Sequence, residues 1–169
     1  MKKMNIDTVR AYLGRFGFGE KVREFPVSSA TVELAAQALG TEEARIAKTL
    51  SFDLDGRTLL IVAAGDTKID NRKYRAQFGR KASMLAREEV EPRTGFLPGG
   101  VCPFAAKEGV EIFLDRSLQR FSTVFPACGS ANSAVELTPE ELERLTPGSR
   151  WIDVCKIPDG QHAPSAENG

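Results

Sequence analysis

The chain predicts an α/β domain of the α+β type, a mixed β-sheet of six or more strands with helices packed around it. Three observations carry this. Two β-rich runs, IAKTLSF and TLLIVAA, flank Asp53-Leu54-Asp55-Gly56-Arg57, whose Asp-Gly pair accepts positive φ and closes a hairpin. Apolar residues recur at helical spacing in several separate stretches, each bounded by a capping residue or a glycine. Helices and strands then mix without a steady βαβ alternation, which disfavours a doubly wound sheet and a (β/α)8 barrel. A length of 169 residues, 41% hydrophobic and 27% charged, suits one core, and residues 1–157 are expected to form a single domain.

In chain order, Ile6, Val9, Leu13 and Phe16 mark a first helix stopped by Gly17 and Gly19. An extended piece over 22–25 reaches Pro26, and 31–39 reads as a second helix, with Ser28 or Ser29 as cap and Gly40 as terminator. Thr41 before Glu42 and Glu43 opens a short third helix, because the hydroxyl caps it and the acids favour the positive end of its dipole. The hairpin follows. Asp70 caps a helix that runs to Phe78 before Gly79, 81–85 predicts a strand, and 87–90 a helical turn. Residues 94–104, TGFLPGGVCPF, hold three glycines and two prolines, too many for an element interior, so they form a loop. Strands are expected over 110–114, 122–125 and 133–137. Thr138-Pro139-Glu140-Glu141 places a cap, a proline at the first helical position and a glutamate at the third, predicting a helix over 139–145. A last strand is expected over 151–155, and 158–169 is polar enough to predict a disordered tail.

Composition excludes several classes. No apolar run approaches the roughly 20 residues that span a bilayer, and MKKMNIDTVRAYL has no signal-peptide core, so the chain reads as cytoplasmic without a membrane partner. Cys102, Cys128 and Cys155 make an odd count without a CxxC pair, which fits a reducing compartment. The single histidine, His162, sits in the polar tail, and no metal is expected. Balanced charge, 23 basic against 23 acidic residues, argues against broad non-specific binding to nucleic acid but leaves room for a local patch. Residues 68–81 hold Lys68, Arg72, Lys73, Arg75, Arg80 and Lys81 against Asp70. This run is either a solvated helix face or a docking surface for nucleic-acid phosphates, with Arg72, Lys73 and Arg75 as candidate contacts.

GxSxG, HExxH, P-loop and GxGxxG signatures are all missing, so any catalysis here is histidine-free and works through position and fixed dipoles. The loop Leu97-Pro98-Gly99-Gly100-Val101-Cys102-Pro103-Phe104 is the most distinctive segment, because paired glycines bare the backbone and prolines stiffen it. It is either a tight connection or a grip on a ligand. Cys102 lacks a histidine to lower its pKa and reads as a buried thiol rather than a nucleophile. Lys48 interrupts an apolar strand, on the same face as Ile46 and Leu50. Its ammonium must reach solvent, a carboxylate or an anionic ligand. Gly129-Ser130 with Asn132 offers backbone N–H groups and a hydroxyl after a strand, either as a plain turn or as a binding element.

The order of Ala-Lys-Thr-Leu at 47–50, Ala-Gly-Asp at 64–66, Pro-Gly-Gly-Val-Cys-Pro-Phe at 98–104 and Phe-Pro-Ala-Cys-Gly-Ser at 125–130 resembles the YbaK/EbsC-type domains. These include the editing domain inserted in bacterial prolyl-tRNA synthetases and its free-standing relatives. The resemblance spans roughly residues 6–155. It implies a strongly curved mixed sheet and a free-standing trans-editing deacylase for mischarged tRNA, chiefly tRNA for proline carrying a small non-cognate amino acid. No cofactor is expected. The partners implied are the mischarged tRNA and an aminoacyl-tRNA synthetase. Carried over by position, Lys48 is the essential lysine, and Gly99, Gly100, Val101, Cys102 and Pro103 form the loop against the aminoacyl ester. Thr31, Gly129, Ser130 and Asn132 are the candidate substrate contacts. Relatives with defined substrates carry an acid or a histidine after the glycine turn, where this chain has Asn132-Ser133-Ala134. A catalytically inactive module that binds tRNA or a synthetase is the alternative.

Overall fold

The computed structural model describes residues 5–158. His162 and the tail expected over 158–169 lie, but for Pro158, outside the described residues.

Helix α1 (Ile6–Gly14) starts where Asn5 Oδ1 accepts the amides of Asp7 at 3.0 Å and Thr8 at 3.1 Å. After β1 (Arg23–Glu24) comes α2 (Val32–Leu39), which ends in the left-handed Gly40. Its cap is Thr31, whose hydroxyl accepts Leu34 N at 3.1 Å, and neither Ser28 nor Ser29. The physical reason is that the chain before Thr31 is held extended: Ser29 N donates to Ala131 O and Phe25 N to Asn132 O. Residues 43–45 make a 3-10 turn instead of an α-helix. Strands β2 (Ile46–Leu54) and β3 (Arg57–Ala64) then pair antiparallel, with Lys48 opposite Ala63. Asp55 and Gly56 both take positive φ, 51° and 90°, as a two-residue turn of the hairpin-favouring hand requires.

Beyond the hairpin lie β4 (Lys68–Ile69), α3 (Asn71–Phe78) and α4 (Arg87–Thr94). The expected strand over 81–85 reduces to a single bridge, Phe52 to Met84, although Asp53 N donates to Ser83 O and Leu85 N to Ser51 O. The helical turn expected over 87–90 continues to Thr94 and includes Pro92. Next come β5 (Glu111–Asp115), β6 (Phe125–Pro126), β7 (Ser133–Ala134), α5 (Pro139–Arg144) with a complete capping box on Thr138 and Glu141, β8 (Arg150–Ile152) and β9 (Cys155–Lys156). The strand expected over 151–155 is thus two strands. Asp115 separates them, its buried carboxylate accepting Val154 N at 2.8 Å and Ser117 N at 2.9 Å.

The strands expected for one sheet divide into three. The main sheet has the order β6-β2-β3-β5-β8, antiparallel at β2–β3 and parallel elsewhere, and β1–β7 and β4–β9 are antiparallel ribbons. Central β3 is buried on both faces from Leu59 to Ala64, which explains its unbroken apolar run. One face packs Ala47, Val62 and Leu114 against Val9 and Leu13 of α1, Leu142 of α5 and the loop residues Phe96, Cys102 and Phe104. The other packs Phe52, Ile61 and Phe113 against Tyr74 of α3. A third cluster seats Ala35 and Ala36 of α2 on Ile46 and Phe125.

Gly65, just after β3, is compelled to be glycine. A Cβ there would overlap Glu43 O and lie 2.8 Å from Val32 Cγ1. Gly65→Ala should therefore destabilise the fold by about 3 kcal/mol, read from the urea midpoint at unchanged m-value.

Candidate active site

Strand β2 has two edges. Along one it pairs with β3 throughout. Along the other it pairs with β6 only at Ile46 and Ala47, and its next partners are Ser83 and Leu85, which bond Asp53 and Ser51. The interval Lys48–Thr49–Leu50 is left open between them. Because outward-facing backbone groups alternate along a strand, and Ser51 and Asp53 face outward, Thr49 also presents its N–H and C=O to the open edge.

A cavity of about 260 Å³ occupies this opening. Its walls are Ile46 to Leu50, residues 29–32 with Ala35 of α2, Gly99 and Val101 of the loop, and Ser133 with Ala134 of β7. Lysine and loop thus border one hollow. Small and apolar side chains dominate the walls, and Lys48 is the one charged residue among them. Among the described residues, three buried side-chain oxygens have no hydrogen-bond partner, and two of them, Ser29 Oγ and Thr49 Oγ1, belong to this lining. Unpaired buried hydroxyls cost stability unless a ligand or water meets them, so their concentration here makes this cavity the candidate site.

Lys48 is half-buried, and its ammonium donates to Thr67 O. Burial pulls its pKa below the ordinary lysine range; Asp66 opposes that shift and Lys68 reinforces it. The loop forms a tight turn in which Gly100 N donates to Leu97 O at 2.9 Å, with Pro98 in second place and Gly99 in third at φ +89°. This is the type II pattern, which needs glycine at the third position. Gly100's amide is thereby used, whereas those of Gly99 and Val101 donate to no acceptor among the described residues.

The other residues singled out from the sequence fall behind this front. Gly100, Cys102 and Pro103 are buried beneath the loop and do not line the cavity. A Cβ on Gly100 would lie 3.1 Å from Ser130 Cα, so the loop rests directly on the Gly129–Ser130 turn. Gly129, at φ +91°, rests in turn on α1, where a Cβ would approach Val9 Cγ2 at 2.7 Å. Asn132 is occupied, its amide donating to Phe25 O at 3.0 Å and its carbonyl accepting Ser130 Oγ at 2.8 Å. Of the candidate substrate contacts, Thr31 lines the cavity, while Gly129, Ser130 and Asn132 support its floor from outside. Arg72 and Arg75 are exposed on α3, and Arg75 borders a separate hollow with Arg80. Lys73 reaches Asp153 and Cys155 O. Sequence reasoning passed over Ser29 and Thr49. Thr49 carried no signal of its own, since its role arises from where neighbouring pairings stop.

A model of the aminoacyl-tRNA editing domain matches residues 27–145, which include every wall of this cavity. The chain belongs to the aminoacyl-tRNA editing domain family. Within the family, YwhH of Bacillus subtilis, an uncharacterised protein, is 53% identical over 154 residues, covering 90% of this chain and 98% of that one. EbsC of Enterococcus faecalis, named as a proposed Cys-tRNA(Pro)/Cys-tRNA(Cys) deacylase, is 31% identical over 121 residues, 70% of this chain and 73% of that one. The crystal structure of a protein proposed as a trans-editing enzyme for prolyl-tRNA synthetase superposes with a TM-score of 0.80 at 33% identity, covering 89% of this chain and 96% of that one. This fold agreement extends to the mixed sheet and its surrounding helices.

Among the described residues no group of three or more His, Cys, Asp or Glu side chains could hold a metal ion, and no helix is long and apolar enough to cross a membrane. All three cysteines are free and buried, and burial pushes the Cys102 thiol up to about 12. The sign of its effect follows: an unfolded thiol titrates near 8.5, so above that pH the unfolded chain loses its proton first and stability falls with rising pH. A thiol reagent at pH 8 should label none of the three cysteines in the native protein and all three in urea. Cys102→Ala should flatten the decline of stability above about pH 8.5.

Proposed function

We propose that this editing-domain protein hydrolyses the ester of mischarged aminoacyl-tRNA, tRNA for proline bearing a small non-cognate amino acid, in the cytoplasm. The observation that carries the reading is the shared cavity: Lys48 on one wall, Gly99 and Val101 with their unused amides on another, and the unpaired hydroxyls of Ser29 and Thr49 in the same lining. The names of its relatives point the same way. Three free cysteines suit a reducing compartment.

The chemistry needs little from the protein beyond placement. An aminoacyl ester is already activated. Water adds to its carbonyl carbon, the C–O bond to the ribose breaks, and the water's proton ends on the departing ribose oxygen. The amides of Gly99 and Val101 would meet the oxygen that becomes negative in the tetrahedral intermediate, and one such donor is worth roughly 3–4 kcal/mol. Thr49 C=O on the open edge of β2 would accept from the substrate's α-ammonium, for which the walls provide no carboxylate. Lys48 would anchor the 3′-terminal nucleotide. Side-chain selection follows from size, since one methylene in an apolar pocket changes binding by about 1–3 kcal/mol. Ala30, Val32 and Ile46 are among the lining residues that would set the size of acyl group admitted. Of the α3 cations proposed as tRNA contacts, Lys73 reaches Cys155 O, and Cys155 interacts with Lys48, whereas exposed Arg72 and Arg75 would touch a tRNA body extending over α3.

A panel of alanyl-, seryl-, threonyl- and cysteinyl-tRNAs tests the reading. The wild-type protein should deacylate at least one of them. Lys48→Ala should lose about a hundredfold in kcat/KM, roughly 2.7 kcal/mol. Gly99→Val, whose Cβ would stand 3.3 Å from Ala30 Cβ at a positive φ, should lose at least as much, while Cys102→Ala keeps the wild-type rate within about threefold. Tight binding of every charged tRNA without turnover would replace this reading with that of an inactive binding module. A Cys102→Ala variant that is inert beside a fully active Lys48→Ala would replace it with a covalent mechanism.

A further inference from the structure

A second hollow, of about 290 Å³, adjoins Lys48 and Thr67 through Cys155, which interacts with both and lines it. Thr67 links the two: its carbonyl takes the Lys48 ammonium, its hydroxyl donates to Ala64 O, and Cys155, which it neighbours, lines the second hollow. Lys73, Arg116, Arg120 and Lys156 face this space. The acids around it are already committed. Asp153 pairs with Lys73 at 3.1 Å and Arg116 at 3.7 Å, Asp66 holds Arg120 at 2.6 Å, and Asp115 accepts two backbone amides. Asp70, within the field of Lys156, spends its carboxylate on capping α3.

One feature of this region works against stability. In the β4–β9 ribbon Lys68 stands directly opposite Lys156, both exposed, and neither is ion-paired by those acids. Like charges directly across a ladder are destabilising. A two-residue ribbon that accepts this repulsion, next to a third lysine and beside two tethered cations, is arranged for an anion that the folded chain itself does not supply. Nucleotides 5′ to the terminal adenosine carry such anions, and with Lys48 holding that adenosine their phosphates would lie beside it.

We propose that Lys68 and Lys156, with Arg116 and Lys73 beside them, bind backbone phosphates of the single-stranded RNA 3′ end preceding the aminoacylated adenosine. The proposal rests on the editing reading and adds the route by which the RNA leaves the site. Phosphate recognition here is by point charges, without base readout, so it serves any acceptor end.

The test uses the full chain and an uncharged acceptor-stem minihelix RNA ending in CCA, with fluorescence anisotropy measured across potassium chloride concentrations. In Lys68→Gln/Lys156→Gln the dissociation constant at 0.1 M salt should rise about tenfold, and the slope of log affinity against log salt should shrink by about 1.4, at ~0.7 per phosphate contact in a single strand. Lys68→Arg/Lys156→Arg should restore binding, and Arg80→Gln, which borders a different hollow, should bind as wild type. Thermal melting of the glutamine variant should give a midpoint equal to or above wild type, because a repulsion has been removed. An unchanged salt slope, or a loss of binding that tracks a lowered melting midpoint, overturns the assignment. A site for free inorganic phosphate alone would bind phosphate in the wild type, lose it in the glutamine variant and leave the RNA slope unchanged, which also overturns it. Failure of the editing reading shows separately, as wild-type protein that binds the minihelix but releases no amino acid from its charged form.

Discussion

Strand β2 meets a partner on its outer edge at Ile46–Ala47 and again at Ser51–Asp53, and the three residues between have none. An unpaired strand edge inside a protein is costly, because its N–H and C=O groups forgo water without gaining a ladder. The arrangement around it answers that cost. Residues 29–32, Gly99 and Val101 of the loop, and Ser133 with Ala134 close over the gap as walls rather than as further partners of β2, and none pairs with Thr49. The hollow therefore exists because β6 stops after two residues, and β6 stops because Pro126 is followed by the Cys128–Gly129 turn that must pack on α1.

The loop's rigidity comes from backbone lying on backbone. Gly100 rests on the backbone of Gly129 and Ser130, and Gly129 rests on the Asn5 backbone and the Val9 side chain, so three separate stretches of chain stack closely where glycine leaves room. Such contacts hold the amides of Gly99 and Val101 in place without any flexible side chain, and fixed donors need no reorganisation as charge develops. Cys102 packs in the core below, its thiol donating to Phe104 O at 3.7 Å.

Much of this was readable from the residues, and the limits have physical causes. Lys48 stood out because a charge inside an apolar strand needs a reason, and the 98–103 loop because glycine and proline concentrate there. The hairpin and α5 followed from turn and capping chemistry that acts within four residues. What failed was tertiary. A strand over 81–85 was expected from composition but shrank to one bridge, since β2's edge is available there for only two hydrogen bonds. Thr31 took the α2 cap from Ser28 and Ser29 because Ala131 and Asn132 hold the preceding backbone extended. Ser29 and Thr49 gained their importance from a gap between pairings that no local pattern encodes. Gly129, Ser130 and Asn132, singled out as substrate contacts, lie outside the cavity lining, Gly129 and Ser130 beneath Gly100 and Asn132 bonded to Phe25 O and Ser130 Oγ.

The central claim, that an acyl group on adenosine lies along the open interval of β2 beneath the glycine loop, is tested most directly by a crystal structure with a small aminoacyl-adenosine whose ester is replaced by a non-hydrolysable amide. The account predicts the acyl carbonyl oxygen within hydrogen-bonding distance, about 3 Å, of the Gly99 or Val101 amide and the α-amine facing Thr49 O. An analogue bound outside this cavity, or inside it with the carbonyl turned away from both amides, would contradict it.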